Sequence, residues 1–490
     1  MTTKFSDLKL GYASAEEEGS SSPVLLLNGY LDIGDMTKEA RLGTKYLWLG
    51  YKGSGKSAFG EHLRLTSQAD SHEFTEVCRL GDFPYKNFKS IIRGTAEPES
   101  RFPSAWSWLL LIKLFNSFSK DVGSPTNKES EFISTLDTLR HAGLILSDSL
   151  RDLTLVTSKI NFKIPLLGFG EAGGERTSQD KELDVEFFVP QMKAIAATFK
   201  SESRHLLIID GLDDILSKRD VQYDSLAALV FEVGQLNAHF RNNNTPAKII
   251  LLCRTDLFER LPGPNKNKIR MDSSVILDWF NDPRNPEKSK LIELVNRKVG
   301  VTHPRIGNIF HSFFPKTIAQ RDKDHGEGQP IRSFLLDFTR HTPRDFIQVL
   351  TAIQRHAVGH EGPLTRDQIL EGVRDYSINY FLPEIKDEMV GYIDSHTFEL
   401  MQGLISSLGK REFTLQELSE RASKHAKYSK LDFEEIINRL FECSAIGNIY
   451  YNSRGETHYT FKYRNRHSAL NNEHSLILHK GIWKALNLGR

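Results

Sequence analysis

Short apolar runs alternate with stretches of helical periodicity through the first 280 residues of this chain. Tyr46 to Leu49, Phe74 to Cys78, Arg204 to Asp210, Lys248 to Arg254 and Asp272 to Phe280 read as five strands. Several are apolar almost throughout, the pattern of strands covered on both faces, so a parallel sheet in an α/β fold is expected. Far more chain separates the second and third strands than a crossover needs. Trp106 to Phe118 and Phe132 to Leu150 predict a helical insert there, over about residues 100–200. Inside it, Phe162 to Gly174 reads as irregular and glycine-rich.

From Glu287 the pattern turns helical. Leu291, Leu294, Val295 and Val299 share one face, and Ile331, Phe334, Leu335 and Phe338 another. A further helix opens at Thr342-Pro343-Arg344-Asp345: Thr342 suits the N-cap, Pro343 the first helical position, and Asp345 could close a capping box. Arg344 is the odd member, because a cation in the first turn opposes the helix dipole. Its presence points to an anion nearby, either a ligand or a carboxylate such as Asp337 or Asp345. Three amphipathic stretches follow, His396 to Leu408, Leu415 to His425 and Asp432 to Cys443, and then a β-hairpin turning at Asn452 to Gly455. Three helices and a hairpin are the winged-helix order. The organisation expected is an N-terminal arm (1–42), a parallel-sheet core (43–284) with its helical insert, an α-helical lid (285–388) and a winged-helix domain (389–490).

Composition changes little in this picture. The 490 residues are 39% hydrophobic and 26% charged, with a net charge of +1, as in a soluble globular protein without a global field for nucleic acid or membrane. Cys78, Cys253 and Cys443 are widely spaced and form no metal-ligand pattern. No apolar signal segment opens the sequence, and the longest apolar run, near Trp106, is short and broken by Lys113. A cytoplasmic protein without a membrane span is expected.

The sharpest chemistry lies after the first strand. Gly50-Tyr-Lys-Gly-Ser-Gly-Lys-Ser57 fits G-x-x-x-x-G-K-[ST], with a strand before it and a helix after it. Gly50, Gly53 and Gly55 permit turns closed to other residues, so the N–H groups through Ser54 and on to Ala58 can surround phosphate oxygens. Lys56 would neutralise the β and γ phosphates of ATP, and the Ser57 hydroxyl would ligate Mg²⁺. Asp210, at the C-terminal end of the third strand, is placed to hold the Mg²⁺ shell, and Asp213 or Asp214 to orient an attacking water. An acidic helix cap would account for Asp213 or Asp214 alone, but less well for Asp210 on so apolar a strand. Arg254 ends the next strand, level with Asp210 if the two strands are neighbours. It would reach a γ-phosphate or pair with Asp256 or Asp213.

The C-terminal charges are less decisive. Across the three helices from Arg411 to Glu442, acidic residues slightly outnumber Lys and Arg, whereas the hairpin region carries Arg454, Lys462, Arg464 and Arg466 against Glu456. Any nucleic acid would therefore meet the wing, through Arg454, Lys462 and Arg464.

With these residues in place the chain resembles the signal-transducing branch of P-loop ATPases, the NACHT-like and bacterial STAND proteins. Asp210-Gly-Leu-Asp213-Asp214 is similar to that branch's D-G-x-D-[DE], and Arg254 stands where it commonly has an arginine. The lid and winged helix are similar to those of origin-recognition AAA+ ATPases as well, whose lid sensor Thr342-Pro-Arg-Asp345 resembles, which implies that Arg344 reads the γ-phosphate. The D-E pair that AAA+ enzymes carry directly after this strand is missing, and no glycine-x-proline lid motif stands out, which points to slow hydrolysis. What the resemblance implies is an ATPase with ATP and Mg²⁺ as cofactors, an arginine finger at Arg260 or Arg270, and assembly with copies of itself or an effector protein. A nucleotide-dependent switch, with bacterial anti-phage defence as a candidate role, and a DNA-dependent ATPase of loader type are the two functions this leaves.

Overall fold

The computed structural model describes residues 3–81, 83–91, 98–145, 147, 149–159, 185–212, 220–280, 285–319, 328–390, 392–429 and 431–488. The glycine-rich run from Phe162, the pair Asp213 and Asp214, and most of the polar loop after Arg321 lie outside these. Packing divides the chain into two compact units: residues 32–50 with 56–277, and residues 1–31 with 51–55 and 278–490.

In the first unit, β1 (Leu47–Gly50), β2 (Glu73–Arg79), β3 (Arg204–Asp210), β4 (Ala247–Arg254) and β5 (Ser274–Ile276) form one parallel sheet in the order β2-β3-β4-β1-β5. Leu47 to Leu49, Leu206 to Ile209 and Ile249 to Cys253 are all buried. Cover on both faces explains why these strands show no alternation of apolar and polar positions. The helix Lys56–Ser67 lies against the sheet so closely that a Cβ added at Gly60 would stand 3.2 Å from Leu252. β5 is shorter than the sequence pattern implied. The helix Lys266–Ser273 takes up its first residues, and the sheet closes with the Leu277 N–H donating to the Leu49 carbonyl at 2.8 Å.

The described part of the insert is helical, with Pro98–Ser119, Ser130–His141, Leu150–Lys159 and Val185–Thr198. Aromatic rings build its core: Phe118 stacks on Phe199 with centroids 4.0 Å apart, and Phe115 stacks on Phe132 at 5.6 Å. Trp106 Nε1 donates to the Ser225 carbonyl at 2.8 Å, fixing the insert to the long helix Asp220–Asn242. Lys113, the charge that breaks the apolar run, is buried and ion-paired with Glu76 of β2, a partner that burial of an ammonium requires. Among the described residues no helix is long and apolar enough to cross a membrane.

In the second unit the described residues from 3 to 31 are folded. The helices Ala15–Ser21 and Pro23–Gly29 come first, and Pro23–Gly29 packs on the helix Lys290–Thr302. Glu18 and Lys298 make a buried ion pair, and a Cβ at Gly29 would meet the Lys298 side chain at 2.9 Å. Gln354 Nε2 donates to the carbonyls of Phe5 and Leu8 at 2.8 and 3.0 Å. The unit continues through a small ribbon of β6 (Thr317–Ile318) and β7 (Gln329–Pro330), then the helices Ile331–Leu336, Pro343–His356 and Arg366–Tyr376. A π-helical turn, Ser377–Phe381, runs into the helix Leu382–Met389.

The last hundred residues form the helices Ser395–Ser407, Leu415–Ser423 and Phe433–Glu442 and a four-stranded sheet. Its strands β8 (Glu412–Phe413), β9 (Ile446–Tyr451), β10 (Thr457–Thr460) and β11 (Leu476–Leu478) are ordered β10-β9-β11-β8, all antiparallel. The β9–β10 hairpin turns where the sequence placed it, with the Gly455 N–H bonded to the Asn452 carbonyl at 2.9 Å and Gly455 at φ +74°.

Candidate nucleotide site

β1 ends at Gly50, opposite Arg254 of β4, and the chain then enters the glycine-rich turn. Gly53 and Gly55 have φ of +78° and +92°, the left-handed region where a Cβ is strained. At Gly53 space is short as well: a Cβ there would stand 3.1 Å from Arg344 Cβ and 3.2 Å from Thr342 Oγ1. The turn is pinned by the Ser54 N–H on the Tyr51 carbonyl at 3.1 Å and by Trp279 Nε1 on the Ser54 carbonyl at 2.8 Å. Ser54 Oγ is buried and has no hydrogen-bond partner among the described residues. A buried, unsatisfied hydroxyl in a tight glycine cradle is a fit for an anion that brings acceptor oxygens.

On the sheet unit, Lys56 opens the helix Lys56–Ser67 and is buried, with Nζ donating to the Gly50 carbonyl at 3.3 Å. Ser57 and Ala58 follow in the first turn, half-buried. Asp210 is buried at the end of β3, and its Oδ1 accepts from the Gly211 N–H at 2.8 Å. The donor set that Mg²⁺–ATP requires is thus present: an ammonium, a hydroxyl and a carboxylate, all on the sheet unit. Among the described residues no group of three metal-ligating side chains stands together, so a cation there would depend on phosphate and water oxygens for most of its ligands.

Arg254 is not level with Asp210. The register sets Ile209 opposite Leu251, so Asp210 falls at the level of Leu252 and Arg254 two residues beyond. Its guanidinium forms a fork on Asp256, Nε to Oδ1 at 2.9 Å and Nη2 to Oδ2 at 2.7 Å. Burial works to raise the pKa of Asp256, but the charges of Arg254, Arg260 and Lys56 outweigh it and hold the carboxyl below its ordinary value. Asp256 therefore stands in the field of the P-loop lysine. The sequence offered it only as a partner for Arg254. Of the two candidate fingers, Arg260 contributes to this same field, and Arg270 is ion-paired with Glu259 at 2.5 Å.

In the second unit the Thr342 side chain accepts from the Asp345 N–H at 3.2 Å, the expected cap. Asp345 does not close a capping box: its carboxylate accepts from the Arg340 N–H and Nε, both at 3.0 Å, and from the Tyr380 hydroxyl at 2.9 Å. The Arg344 N–H donates to the Gly53 carbonyl at 3.3 Å, setting this helix start against the phosphate-loop turn. The Arg344 side chain is paired with neither Asp337 nor Asp345. Nε donates to the Ala13 carbonyl at 3.0 Å and Nη1 lies 3.5 Å from Glu384. Glu384 carries no local sequence signal and was missed. So was the glycine-x-proline tripeptide Gly328-Gln329-Pro330 that leads into the helix Ile331–Leu336, where a Cβ at Gly328 would sit 2.7 Å from the Ile318 carbonyl carbon.

The three wing cations have different surroundings. Arg454 is exposed at the hairpin tip. Lys462 pairs with Glu442 at 3.2 Å and donates to the Ser468 carbonyl at 3.0 Å. Arg464 donates to the Tyr463 hydroxyl at 2.9 Å and lies over the rings of Phe280 and Phe461. Arg466 lies 3.4 Å from Asp278.

No protein-family model matches the chain, and no curated protein matches it in sequence. Among solved structures, the Orc1 protein of Aeropyrum pernix, determined in complex with DNA, is similar over 95% of this chain and 95% of its own, at 11% identity and a TM-score of 0.35. That likeness is loose. The class the chain itself defines is an α/β protein with a five-stranded parallel sheet and a glycine-rich phosphate-loop sequence between β1 and the following helix.

Proposed function

We infer that this protein is an ATP-binding P-loop ATPase of the AAA+ or STAND kind, acting as a nucleotide-dependent switch through its lid and a winged-helix-like C-terminal domain. The observation that carries the reading is the turn at Gly53 to Gly55, left-handed at both glycines, with the Ser54 hydroxyl buried and unsatisfied within it. Bound Mg²⁺–ATP would supply a γ-phosphoryl group for transfer to water, giving ADP and phosphate. In this reading the N–H groups from Gly53 to Ala58 hold phosphate oxygens, and Lys56 neutralises their charge. Ser57 and Asp210 hold the cation, Asp213 and Asp214 orient water, and Arg254 and Arg344 stabilise the terminal phosphate. Partners are further copies of the chain or an effector protein in the cytoplasm. Anti-phage defence enters as a candidate role by analogy alone.

Lys56→Ala tests this. Binding of a fluorescent ATP analogue should weaken about 100-fold or more, because Lys56 is buried at the start of the loop helix while the other loop cation, Lys52, faces Glu384. Near-normal affinity would overturn the reading. Mass photometry with and without Mg²⁺–ATP then reads assembly.

A second reading, DNA binding through the wing, is favoured by Arg454 standing exposed beside Tyr451 and Tyr459, which are 65% and 40% exposed. The internal pairing of Lys462 and Arg464 argues for the switch instead. An ATPase rate indifferent to added duplex would leave the switch alone.

A further inference from the structure

Glu384 sits on the helix Leu382–Met389 with its side chain 12% exposed, and two cations share it. Lys52 of the phosphate-loop turn brings Nζ to 3.1 Å of Oε1, and Arg344 of the lid helix brings Nη1 to 3.5 Å of the same oxygen. One helical turn on, Glu388 accepts from Arg340 Nη1 at 2.5 Å. Two carboxylates four residues apart lie on one helix face. That face grips both arginines flanking the N-cap Thr342. The π-helical turn just before it sends the Tyr380 hydroxyl to Asp345, three positions beyond the same cap.

A largely buried carboxylate between a loop cation and a lid cation takes the place a phosphate could take for the same pair: it is a shared negative partner for both. Arg344 spends Nε on the Ala13 carbonyl and Nη1 on Glu384, so a guanidinium turned toward a phosphate gives up part of these contacts.

The geometry points to Glu384 as an internal anion that holds Arg344 and Lys52 in the nucleotide-free state, so that ATP competes with it and its departure loosens the helix Leu382–Met389. This rests on the switch reading above and names the regulation of that site. The helix leads by a short connection to Ser395–Ser407, the first helix of the C-terminal domain, so loosening it alters the attachment of that domain. ADP, without a γ-phosphate, has less to offer Arg344 and should leave the contact in place.

Glu384→Gln keeps the side chain's shape and removes its charge. In the nucleotide-free variant, amide exchange across residues 382–389 should quicken to the rate that wild-type protein shows with Mg²⁺–ATP. ATP affinity should rise about three- to tenfold with little change for ADP, the scale of one partly buried ion pair. Glu399→Gln, which removes an exposed carboxylate paired with Lys386 on the same helix, is the charge-matched control and should do neither. Wild-type protein that binds ATP with no change in exchange at 382–389, or a Glu384→Gln variant whose exchange and ATP affinity match wild type, would overturn the competition while leaving the ATPase intact. Wild-type protein that fails to bind ATP would sink the switch reading, and this inference with it.

Discussion

Arg254 and Asp256, two residues apart at the end of β4, face each other through two parallel hydrogen bonds of 2.9 and 2.7 Å, with both side chains nearly buried. A fork of this kind is rigid, and it sets one carboxylate within the field of Lys56. Breaking it from one side leaves a desolvated charge. Arg254→Ala should cost about 3–5 kcal/mol of stability, whereas the double variant Arg254→Ala with Asp256→Ala should cost less than Arg254→Ala alone. Urea unfolding of the four proteins of this cycle decides it. A loss in the double variant equal to the sum of the two single losses would mean the pair is not coupled.

Arg344 should discriminate between nucleotides. Arg344→Ala is expected to weaken ATP binding about tenfold and ADP binding little, because the residue is assigned to the terminal phosphate. Competition of ATP and ADP against a fluorescent analogue reads the ratio. Equal affinities in variant and wild type would leave Arg344 as a tie between the lid and the Ala13 carbonyl.

Two buried histidines make the protein sensitive to acid. Burial lowers the pKa of His205 to about 4, against the pull of Asp121. Burial, helped by Arg464, lowers that of His341 to about 3. In the unfolded chain both titrate near 6.5, so below that pH the unfolded state takes up protons that the folded state refuses. Stability should be unaffected by these groups above about pH 6.5 and fall as pH drops below it, by about 2 kcal/mol per histidine at pH 5. His341 has φ +54°, a conformation asparagine tolerates well, so His341→Asn removes the titrating ring without forcing the backbone. The loss of denaturation midpoint between pH 7.5 and pH 5 should shrink in this variant. An unchanged loss would assign the acid sensitivity elsewhere.

The wing should separate packing from charge. Arg454→Ala ought to leave the melting temperature alone and, if DNA binds, flatten the salt dependence by about one unit. Lys462→Ala and Arg464→Ala should instead lower the melting temperature by loosening the contacts to Glu442 and to the Phe280, Phe461 and Tyr463 rings. A salt dependence that shifts as much in Lys462→Ala as in Arg454→Ala would show that Lys462 leaves its pair to meet phosphate.

Strands buried on both faces were the easiest part of this fold to read, since β3 and β4 carry unbroken apolar runs, Leu206 to Ile209 and Ile249 to Cys253, and end in charge. The cap Thr342 was equally visible, because its partner, the Asp345 N–H, is three residues away. Legibility failed with distance along the chain. Asp345 was expected to reach back to its own cap and instead meets Arg340 and Tyr380. Glu384 lies forty residues beyond Arg344 with nothing local to mark it. Asp256 is close in sequence to Arg254, but its exposure to the field of Lys56 depends on β1 and β4 being neighbours, which no periodicity reveals.

The helix Pro23–Gly29, packed on Lys290–Thr302, has a consequence for synthesis. A ribosome makes Leu25 and Leu26 before the sheet, and both end buried, yet the helix that shelters them is encoded some 270 residues later. Every strand of the parallel sheet is translated in between. The emerging chain must therefore carry an uncovered apolar segment while the sheet unit folds behind it, and through that interval the segment is open to chaperones, to proteases and to neighbouring nascent chains.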